Sequence, residues 1–313
     1  MVARGSSCHV TLERVKFVDC TLVVADGATA TANACTFLRQ PYEGICLVAH
    51  GAQSRVKAAG CIFSGGMQGV AVHAGASFAG KGVKCNAAGV IGVEAKDRGS
   101  HLGLSEGLGG ELCTLMNVDS GKKLGFYPCS KGIYVHAGST AAIANCQISS
   151  CTGIGIEVES HRASLFTASN LCVRGCGRLG ILIKVENTGN VKLTDCNVQN
   201  GRATGILVIP MRPSLGLEPP KADFRVQGGE ASGNAEVGVD VDGVAGVNVI
   251  GFKSSKNQGG GFRCSRMGST LTLHRCTSVH EEAYTSALMG RMKLSKCVPG
   301  KTPSVVQGDD DIG

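Results

Sequence analysis

The sequence predicts an all-β protein built as a single parallel β-solenoid, in which short strands wind into coils that stack on one another. Three observations predict this fold. A Gly-apolar-x-apolar tetrad recurs along the 313 residues, short segments alternate apolar and polar residues, and the composition combines 46 glycines and 16 cysteines with no tryptophan. Alternation indicates strands, and no segment shows the sustained period of a helical repeat.

The tetrad sets the length of one coil. It occurs nine times between residues 44–47 and 261–264, and six of the eight spacings between its glycines are 23–25 residues. The early units also carry a glycine followed by a small residue, at intervals of 24 residues, and a third apolar segment led by Cys or Asn recurs at the same period. Three strands therefore share about 24 residues, which is one turn of a parallel solenoid, and the chain length predicts roughly eleven coils.

Stacking predicts the core. Successive coils lie about 4.8 Å apart, so like residues lie over like residues and form ladders. We expect Val, Ile, Leu, Ala and Cys to fill a narrow interior with little room for aromatic rings, and the thiols to pack as small apolar groups. Four residues before a tetrad glycine, we predict a turn ladder in which asparagine adopts a positive φ. Its members are Cys151, Cys176, Asn234 and Asn257, with Asn200 one residue off.

These tetrads and ladders resemble the right-handed parallel β-helix of the pectate-lyase-like superfamily. The resemblance implies one right-handed domain over residues 1–298, with insertions near 97–131 and 210–222 and a C-terminal tail at 299–313. The second insertion contains four prolines and is predicted to be a surface loop. Because the superfamily hosts lyases, hydrolases, esterases, epimerases and non-catalytic scaffolds, the resemblance implies an architecture rather than an activity.

Charge and cysteine usage narrow the partners and the compartment. The net charge of +7 is spread along the chain, which does not predict a nucleic-acid partner. No apolar stretch suits a signal peptide or a membrane span, so no membrane partner is expected. The chain has no Cys-x-x-Cys pair and no phosphate-binding loop, and His280-Glu281-Glu282 lacks a second His, so neither a metal nor a cofactor is predicted. We interpret the cysteines as reduced thiols of a cytoplasmic protein.

The tetrads also predict an outer face. Within each tetrad the two apolar residues should face inward and the residue between them should face solvent. The predicted outward line is Cys46, Ala71, Glu94, Tyr134, Glu157, Leu182, Leu207, Asp240 and Arg263. A second line, two residues further along, is Val48, His73, Lys96, His136, Glu159, Lys184, Ile209, Asp242 and Ser265.

Two pairs of carboxylates on these lines offer an enzymatic interpretation: Glu157/Glu159 and Asp240/Asp242. Residues two apart on a strand are separated by about 6.6 Å, which suits inverting sugar hydrolysis at about 6.5–9.5 Å. A polysaccharide lyase or glycoside hydrolase would use such groups. The opposing interpretation is ion pairing between neighbouring coils, with His136 also flanking Glu159. Its predicted pairs are Arg263 with Asp240 and Lys184 with Glu159.

The sequence favours ion pairing over both catalysis and calcium binding at these carboxylates. The Gly-His-Gly and Arg-Ile-Lys signatures of catalytic members of the superfamily are missing from the sequence. A calcium site at Asp240 and Asp242 is disfavoured because the cationic Arg263 follows one coil beyond. We therefore predict a protein that is not an enzyme, with the carbohydrate-active enzyme kept as the alternative. A lectin-like sugar binder would need exposed aromatic rings, and only four tyrosines are available.

Apolar residues on the outer face point to a protein partner. Leu182, Leu207 and Ile209 should stand together as an exposed strip, which more often marks a docking surface than a solvent face. Tyr134, on the same face, is taken with them as a partner-binding residue. The alternative is that the loop at 210–222 folds back and covers the strip. Strand-like alternation begins at Val10 with no helix to act as a lid, which suggests end-to-end as well as lateral docking.

The predicted function is a non-enzymatic structural or adaptor β-helix that docks into a larger intracellular protein assembly. The chain resembles scaffold-type β-helices of large eukaryotic assemblies, and its Ala/Gly/Cys-rich ladders are similar to green-algal examples. That resemblance implies a cytoskeletal or ciliary location.

Overall fold

The computed structural model describes residues 1–86, 89–106, 113–116, 131–160, 165–186, 188–212, 219–279, 283–287 and 290–299. Within these residues every regular element is a strand, and every strand pairing is parallel. The strands wind through about ten turns of roughly 24 residues each. The predicted all-β parallel solenoid is confirmed.

The strands begin with β1 Val2–Arg4, β2 His9–Glu13, β3 Lys16–Val18, β4 Leu22–Ala25, β5 Thr29–Asn33, β6 Thr36–His50, β7 Arg55–Ala59, β8 Ile62–His73, β9 Ser77–Lys81, β10 Lys84–Asn86, β11 Ile91–Ala95, β12 His101–Ser105, β13 Cys113–Met116, β14 Lys131–Val135 and β15 Thr140–Ser149. They continue with β16 Ile154–Ser160, β17 Leu165–Arg174, β18 Ile181–Val185, β19 Thr188–Gln199, β20 Ile206–Pro210, β21 Lys221–Ser232, β22 Val239–Asp242, β23 Ala245–Ile250, β24 Lys253–Ser255, β25 Phe262–Ser265, β26 Thr270–His274, β27 Thr277–Val279, β28 Tyr284–Ala287, β29 Arg291–Ser295 and β30 Val298–Pro299.

Each turn contributes a strand to each of three parallel sheets. The tetrad sheet contains β1, β4, the second halves of β6 and β8, β11, β14, β16, β18, β20, β22, β25 and β28. The second sheet contains β2, β5, β7, β9, β12, the first parts of β15, β17, β19 and β21, and β23, β26 and β29. The third sheet holds β3, β10, β13, β24, β27, β30 and the remaining parts of the long strands.

A left-handed residue marks the corner between the second and third sheets. At this corner φ lies between 46° and 64° at Arg14, Ala34, Gly60, Gly82, Asn145, Asn170, Asp195, Gly228, Gly251, Arg275 and Lys296. The amide of the corner residue donates to a carbonyl one turn below, as from Arg14 N to Asn33 O (2.9 Å) and from Ala34 N to Ala59 O (2.8 Å). This repeated backbone hydrogen bond stabilises a left-handed conformation that residues other than Gly, Asn and Asp rarely adopt.

The interior between the sheets is apolar and stacked, but it differs from the predicted core in its aromatic content. The largest fully buried side chains are phenylalanines, at positions 37, 63, 78, 166, 224, 252 and 262. The rings of Phe17 and Phe37 stack with centroids 4.6 Å apart, and those of Phe37 and Phe63 with centroids 4.9 Å apart. The expectation of little room for rings was wrong because a ring that stacks on its neighbours fits within the height of one coil along the solenoid axis.

Most of the cysteines whose side chains the structure describes pack in this core as thiols, as predicted. Ten are buried, at positions 35, 46, 61, 85, 146, 151, 176, 196, 264 and 276. Burial raises the pKa of the Cys46 and Cys61 thiols to about 11. A neutral thiol behaves here as a small apolar side chain.

The predicted asparagine turn ladder is displaced by one residue. The left-handed residues at this second corner include Ser150, Gly175, Asn200, Gly233 and Lys256. Asn200 has the predicted positive φ, whereas Asn234 and Asn257 each follow a left-handed residue and are buried. Asn257 Oδ1 accepts from the backbone N (2.9 Å) and from Nδ2 (2.8 Å) of Asn234. These two asparagines therefore supply hydrogen bonds inside the coil, because buried amide groups need partners, instead of supplying the turn conformation.

The two predicted insertions are only partly described. Within 97–131, β12 and β13 continue the coils by pairing with β15, so these residues belong to the solenoid. Residues 107–112 and 117–130 lie outside the described residues. Of the segment 210–222, residues 213–218 lie outside them too, as do 300–313 of the predicted tail and His280-Glu281-Glu282.

Candidate functional site

The outer face of the tetrad sheet carries one ladder of polar and apolar residues in register. We call this the outer ladder: Val48, Ala71, Glu94, Tyr134, Glu157, Leu182, Leu207, Asp240 and Arg263. It matches the predicted line at every position except the first. Leu47 pairs with Val70, so Cys46 falls at the level of Gly69 and is buried, and Val48 takes the outward position. The error arose because Gly44, with φ at 62°, lies where the register of β6 shifts between Pro41 and Ile45, outside the glycine column of the later tetrads.

Several members of the outer ladder are buried although they were predicted to face solvent. Glu157 is 2% exposed, Asp240 is 3% exposed and Leu182 is 6% exposed. The long side chains of neighbouring coils lie over the two carboxylates and pair with them, as described below. The prediction of solvent exposure was therefore wrong for these positions, since it considered strand alternation without the neighbours on adjacent coils.

Glu94 is held between two histidines from different coils. Its Oε2 accepts from His73 Nε2 at 2.9 Å, and its Oε1 accepts from His136 Nε2 at 2.9 Å. Gln68 Nε2 adds a third hydrogen bond to Oε2, at 3.1 Å. Burial raises the pKa of the Glu94 carboxyl, but the hydrogen bonds and charges of the two histidines outweigh burial and hold that pKa well below its usual range.

Glu157 is neutralised by two lysines in the same manner. Lys131 Nζ lies 2.9 Å from Glu157 Oε2, and Lys184 Nζ lies 2.5 Å from Oε1. Lys184 is also 3.7 Å from Glu159 Oε1. Burial raises the pKa of Glu157 while the lysines lower it more, so the net shift is downward. For Lys184, burial lowers the pKa but Glu157 and Glu159 outweigh burial and raise it.

Tyr134 links the two charged clusters. Its hydroxyl donates to Glu159 Oε1 at 2.8 Å, and its ring stacks on His136 with centroids 4.0 Å apart. Lys131 Nζ lies 3.5 Å from the ring centroid, in a cation–π contact. Burial and the hydrogen bond to Glu159 raise the pKa of Tyr134, so the phenol remains protonated. Its hydroxyl is therefore a donor held in place, and Tyr134 is half-buried.

Asp240 and Asp242 lie further along the face and are paired with arginines. Arg263 Nη2 lies 2.6 Å from Asp240 Oδ2, and Arg266 Nε lies 2.9 Å from Asp242 Oδ1. Asp240 Oδ1 is buried and has no hydrogen-bond partner within the described part of the chain. Burial raises the pKa of Asp242, and the nearby Asp240 charge adds to the rise against the opposing effect of Arg266.

The predicted pairs are confirmed, with additions that the sequence interpretation missed. Arg263 pairs with Asp240 as predicted, and Lys184 contacts Glu159 but lies closer to Glu157. His136 was assigned to Glu159, whereas the structure places it on Glu94. Gln68 and Lys131 were not singled out. Both directly precede a tetrad glycine. Polar residues at that position of the repeat were the sequence signal that could have identified them.

The apolar strip is assembled as predicted but is less exposed. Leu182 pairs with Leu207, and Ile209 lies two residues further along the strand of Leu207, beside Lys184. Leu182 is buried, whereas Leu207 and Ile209 are half-buried. The accessible part of the strip therefore consists of Leu207 and Ile209, with the half-buried Tyr134 two coils before Leu182.

The arrangement supports ion pairing more directly than metal binding. Over the residues that the structure describes, no group of three or more His, Cys, Asp or Glu side chains could hold a metal ion. In the same residues no helix is long and apolar enough to cross a membrane. What the outer face offers chemically is a row of neutralised carboxylates, in which Asp242 has the only carboxyl pKa shown to be raised.

Comparisons with known proteins address the fold. The family model described as right handed beta helix region matches residues 112–210, about a third of the chain. A search of curated proteins finds no match. The Dettilon tailspike protein is similar in structure, with 14% identity and a TM-score of 0.37 over 92% of this chain and 61% of that chain. The present chain thus spans less than two thirds of that tailspike.

A second solved structure, the A-module of the Azotobacter vinelandii mannuronan C-5 epimerase AlgE4, has 10% identity and a TM-score of 0.34 over 89% of this chain and 90% of that chain. At these identities neither neighbour bears on the activity of this protein. The parallel coils, their length and the matching family model agree on one architecture. The chain folds as a right-handed parallel β-helix.

Proposed function

We propose that this protein is a non-enzymatic structural or adaptor module that docks into a larger intracellular protein assembly, of the cytoskeletal or ciliary kind. One observation carries the proposal. The most buried carboxylates of the outer face, Glu94, Glu157 and Asp240, are each paired with cationic or histidine side chains of neighbouring coils. Such pairs hold the face in one conformation without leaving an acid ready for proton transfer.

Catalysis of glycosidic cleavage by two carboxyl groups requires one that is protonated near neutral pH. The pKa values of Glu94 and Glu157 are shifted downward, which is the wrong direction for that role. The half-buried Leu207 and Ile209 supply an apolar contact for a partner, and the small, rigid solenoid presents them at a fixed spacing.

The experiment is proximity labelling in the source cell with the full chain and two variants. Leu207→Asp together with Ile209→Asp should remove a reproducible set of labelled proteins. The control, Thr167→Asp with Thr272→Asp, makes the same change at half-buried positions on the second sheet and should leave that set intact. An identical set for both variants would contradict docking through the apolar strip. A soluble monomer by size exclusion with light scattering, together with no labelled set, would contradict the adaptor function altogether.

A second candidate function is a carbohydrate-active enzyme, which one observation favours. Asp240 and Asp242 lie on one strand face, and the pKa of Asp242 is raised by burial while Asp240 is paired with Arg263. A carboxyl with a raised pKa beside a carboxyl paired with an arginine would suit acid–base cleavage of a glycosidic bond. Incubation with neutral and uronate polysaccharides tests it. Product formation abolished by Asp242→Asn but kept in Glu13→Gln, an exposed site on the second sheet, would replace the adaptor proposal.

A further inference from the structure

The corner between the second and third sheets carries a repeated thiol geometry. Directly after the left-handed residue, a cysteine donates its S–H to the carbonyl two residues earlier, at 3.3–3.6 Å. The cysteines with this bond are Cys35, Cys61, Cys146, Cys196, Cys276 and Cys297. Because the same orientation repeats from coil to coil, cysteines on consecutive coils place their sulfur atoms one above the other.

Among the cysteines whose side chains the structure describes, two pairs at this corner occupy consecutive coils. In the first, Ile62 N donates to Cys35 O at 2.9 Å, and in the second, Val298 N donates to Cys276 O at 2.9 Å. These bonds set the backbones of Cys35/Cys61 and Cys276/Cys297 at the strand spacing of about 4.8 Å. That spacing lies inside the Cα separation of about 4.4–6.8 Å that a disulfide accepts. In each pair the neighbouring thiol contributes to the raised pKa, of Cys61 in the first pair and of Cys276 in the second.

A third stacked pair, Cys151 and Cys176, lies at the following corner. Gly177 N donates to Cys151 O at 2.7 Å, which sets the backbones of the two cysteines at the strand spacing. Both cysteines are buried, as are Cys35 and Cys61. Two of the three pairs are therefore shielded from reagents in solution while the solenoid is folded.

Access distinguishes the pair at Cys276 and Cys297. Cys276 is fully buried, but Cys297 is half-buried and packs against the edge of the core. Its neighbouring strands β29 and β30 each pair with one strand within the described residues. Tyr284 bridges the two coils, since its hydroxyl lies 3.4 Å from Cys276 O and 3.2 Å from Val298 O. A small oxidant can therefore reach Cys297, and Cys276 lies next to it on the preceding coil.

We propose that Cys297 and Cys276 form an oxidant-responsive thiol pair that closes into a disulfide between two coils. Hydrogen peroxide, or a hydroperoxide of the same class, converts the Cys297 thiol to a sulfenic acid and releases one water, or one alcohol from a hydroperoxide. The Cys276 sulfur then attacks the sulfenic sulfur, the S–S bond forms, and the hydroxyl leaves with the Cys276 proton as water. With hydrogen peroxide the sum is two thiols and one peroxide giving one disulfide and two waters.

The buried partner is not the first thiol to be oxidised. Burial raises the pKa of the Cys276 thiol to about 11, so it does not react with oxidants on its own account. Closure of the bond ties β29 and β30 covalently to the preceding coil. The module would then hold its C-terminal coil more firmly under oxidising conditions than under reducing ones.

Peptide mass spectrometry of the folded full chain tests the proposal. After brief treatment with a few equivalents of hydrogen peroxide and alkylation under native and then denaturing conditions, we expect a linked peptide containing Cys276 and Cys297, lighter by two hydrogens. The internal controls are the Cys35/Cys61 and Cys151/Cys176 pairs, which should stay reduced until the protein is unfolded. In parallel, amide exchange across Arg291–Ser295 should slow at least tenfold on oxidation and recover with a thiol reductant.

Two variants separate the steps. In Cys276→Ser the sulfenic acid at Cys297 should persist and react with dimedone, whereas in Cys297→Ser the thiol at Cys276 should remain reduced. The proposal is wrong if wild-type Cys297 becomes a sulfenic acid that never links to Cys276, or if the buried control pairs oxidise at the same rate. Should either variant fail to fold, the linkage and exchange measurements on the wild-type chain decide by themselves.

Discussion

At the scale of single residues, the outer ladder shows how charged side chains are buried on a sheet face. A carboxylate taken out of water loses hydration that one surface contact does not restore. Glu94 receives three hydrogen bonds from the coils on its two sides, and Glu157 receives two ammonium groups from two different coils. Stacking at the coil spacing makes this possible, because the side chains above and below a carboxylate are always within reach.

The Glu94 cluster predicts a specific pH dependence of stability. The pKa of Glu94 is lower in the folded state than the unfolded value of about 4.3. The stabilisation is therefore complete above that unfolded value and is lost as the pH falls toward the folded pKa. We expect Glu94→Gln to lower the free energy of unfolding at pH 7 by about 3 kcal/mol, and by less at pH 3, where part of the stabilisation is already lost.

Urea denaturation at both pH values measures this difference. Glu13→Gln, at an exposed position of β2, is the matched control and should change the free energy of unfolding by less than about 0.5 kcal/mol. If Glu94→Gln lowers the free energy of unfolding equally at pH 7 and pH 3, the negative charge of Glu94 does not account for the stabilisation.

At the scale of one element, the tetrad glycines explain why the motif is visible in the sequence. A Cβ at Gly155 would lie 2.5 Å from Val173 Cγ1, 2.7 Å from Gly180 O and 3.0 Å from Cys176 Sγ. Similar short distances recur at Gly132 and Gly180, so this column of the tetrad sheet lies against the third sheet with no space for a side chain. The column is thus a packing requirement of the corner.

This packing predicts opposite outcomes for two glycine-to-alanine changes. Gly155→Ala should destabilise the protein by about 2–3 kcal/mol, because the neighbours cannot all withdraw. Gly103→Ala on the second sheet should change stability by less than about 0.5 kcal/mol, since the nearest atom to its Cβ would be Phe78 O at 3.7 Å. Thermal unfolding of both variants gives the comparison, and equal losses would refute the steric explanation.

At the scale of the whole molecule, the solenoid is a one-dimensional stack in which each coil contacts mainly its two neighbours. Strands β16 and β18 are each paired on both sides, whereas β1 and β28 are each paired on one side within the described residues. Local opening should therefore require less free energy at the terminal coils than in the middle of the stack.

Hydrogen exchange of the 313-residue chain tests this gradient. Amides of Ile154–Ser160 and Ile181–Val185 should exchange at least a hundredfold more slowly than those of Tyr284–Ala287. Mass spectrometry of peptides after timed exchange, under reducing conditions, provides the rates. Equal protection along the stack would mean that the coils open as one cooperative unit.

The sequence by itself determined the architecture, the coil length and most of the outer ladder, because a side chain in a stacked solenoid meets the same environment once per turn and leaves a period in the chain. Only the tertiary structure decided the register of the first tetrad, where Gly44 lies at an irregularity of β6, and the partners of Glu94. Both depend on which neighbouring coil a side chain reaches, a distance across the sheet that spacing along the chain does not contain. The same reason explains why burial of Leu182 and stacking of the phenylalanine rings became visible only in the folded molecule.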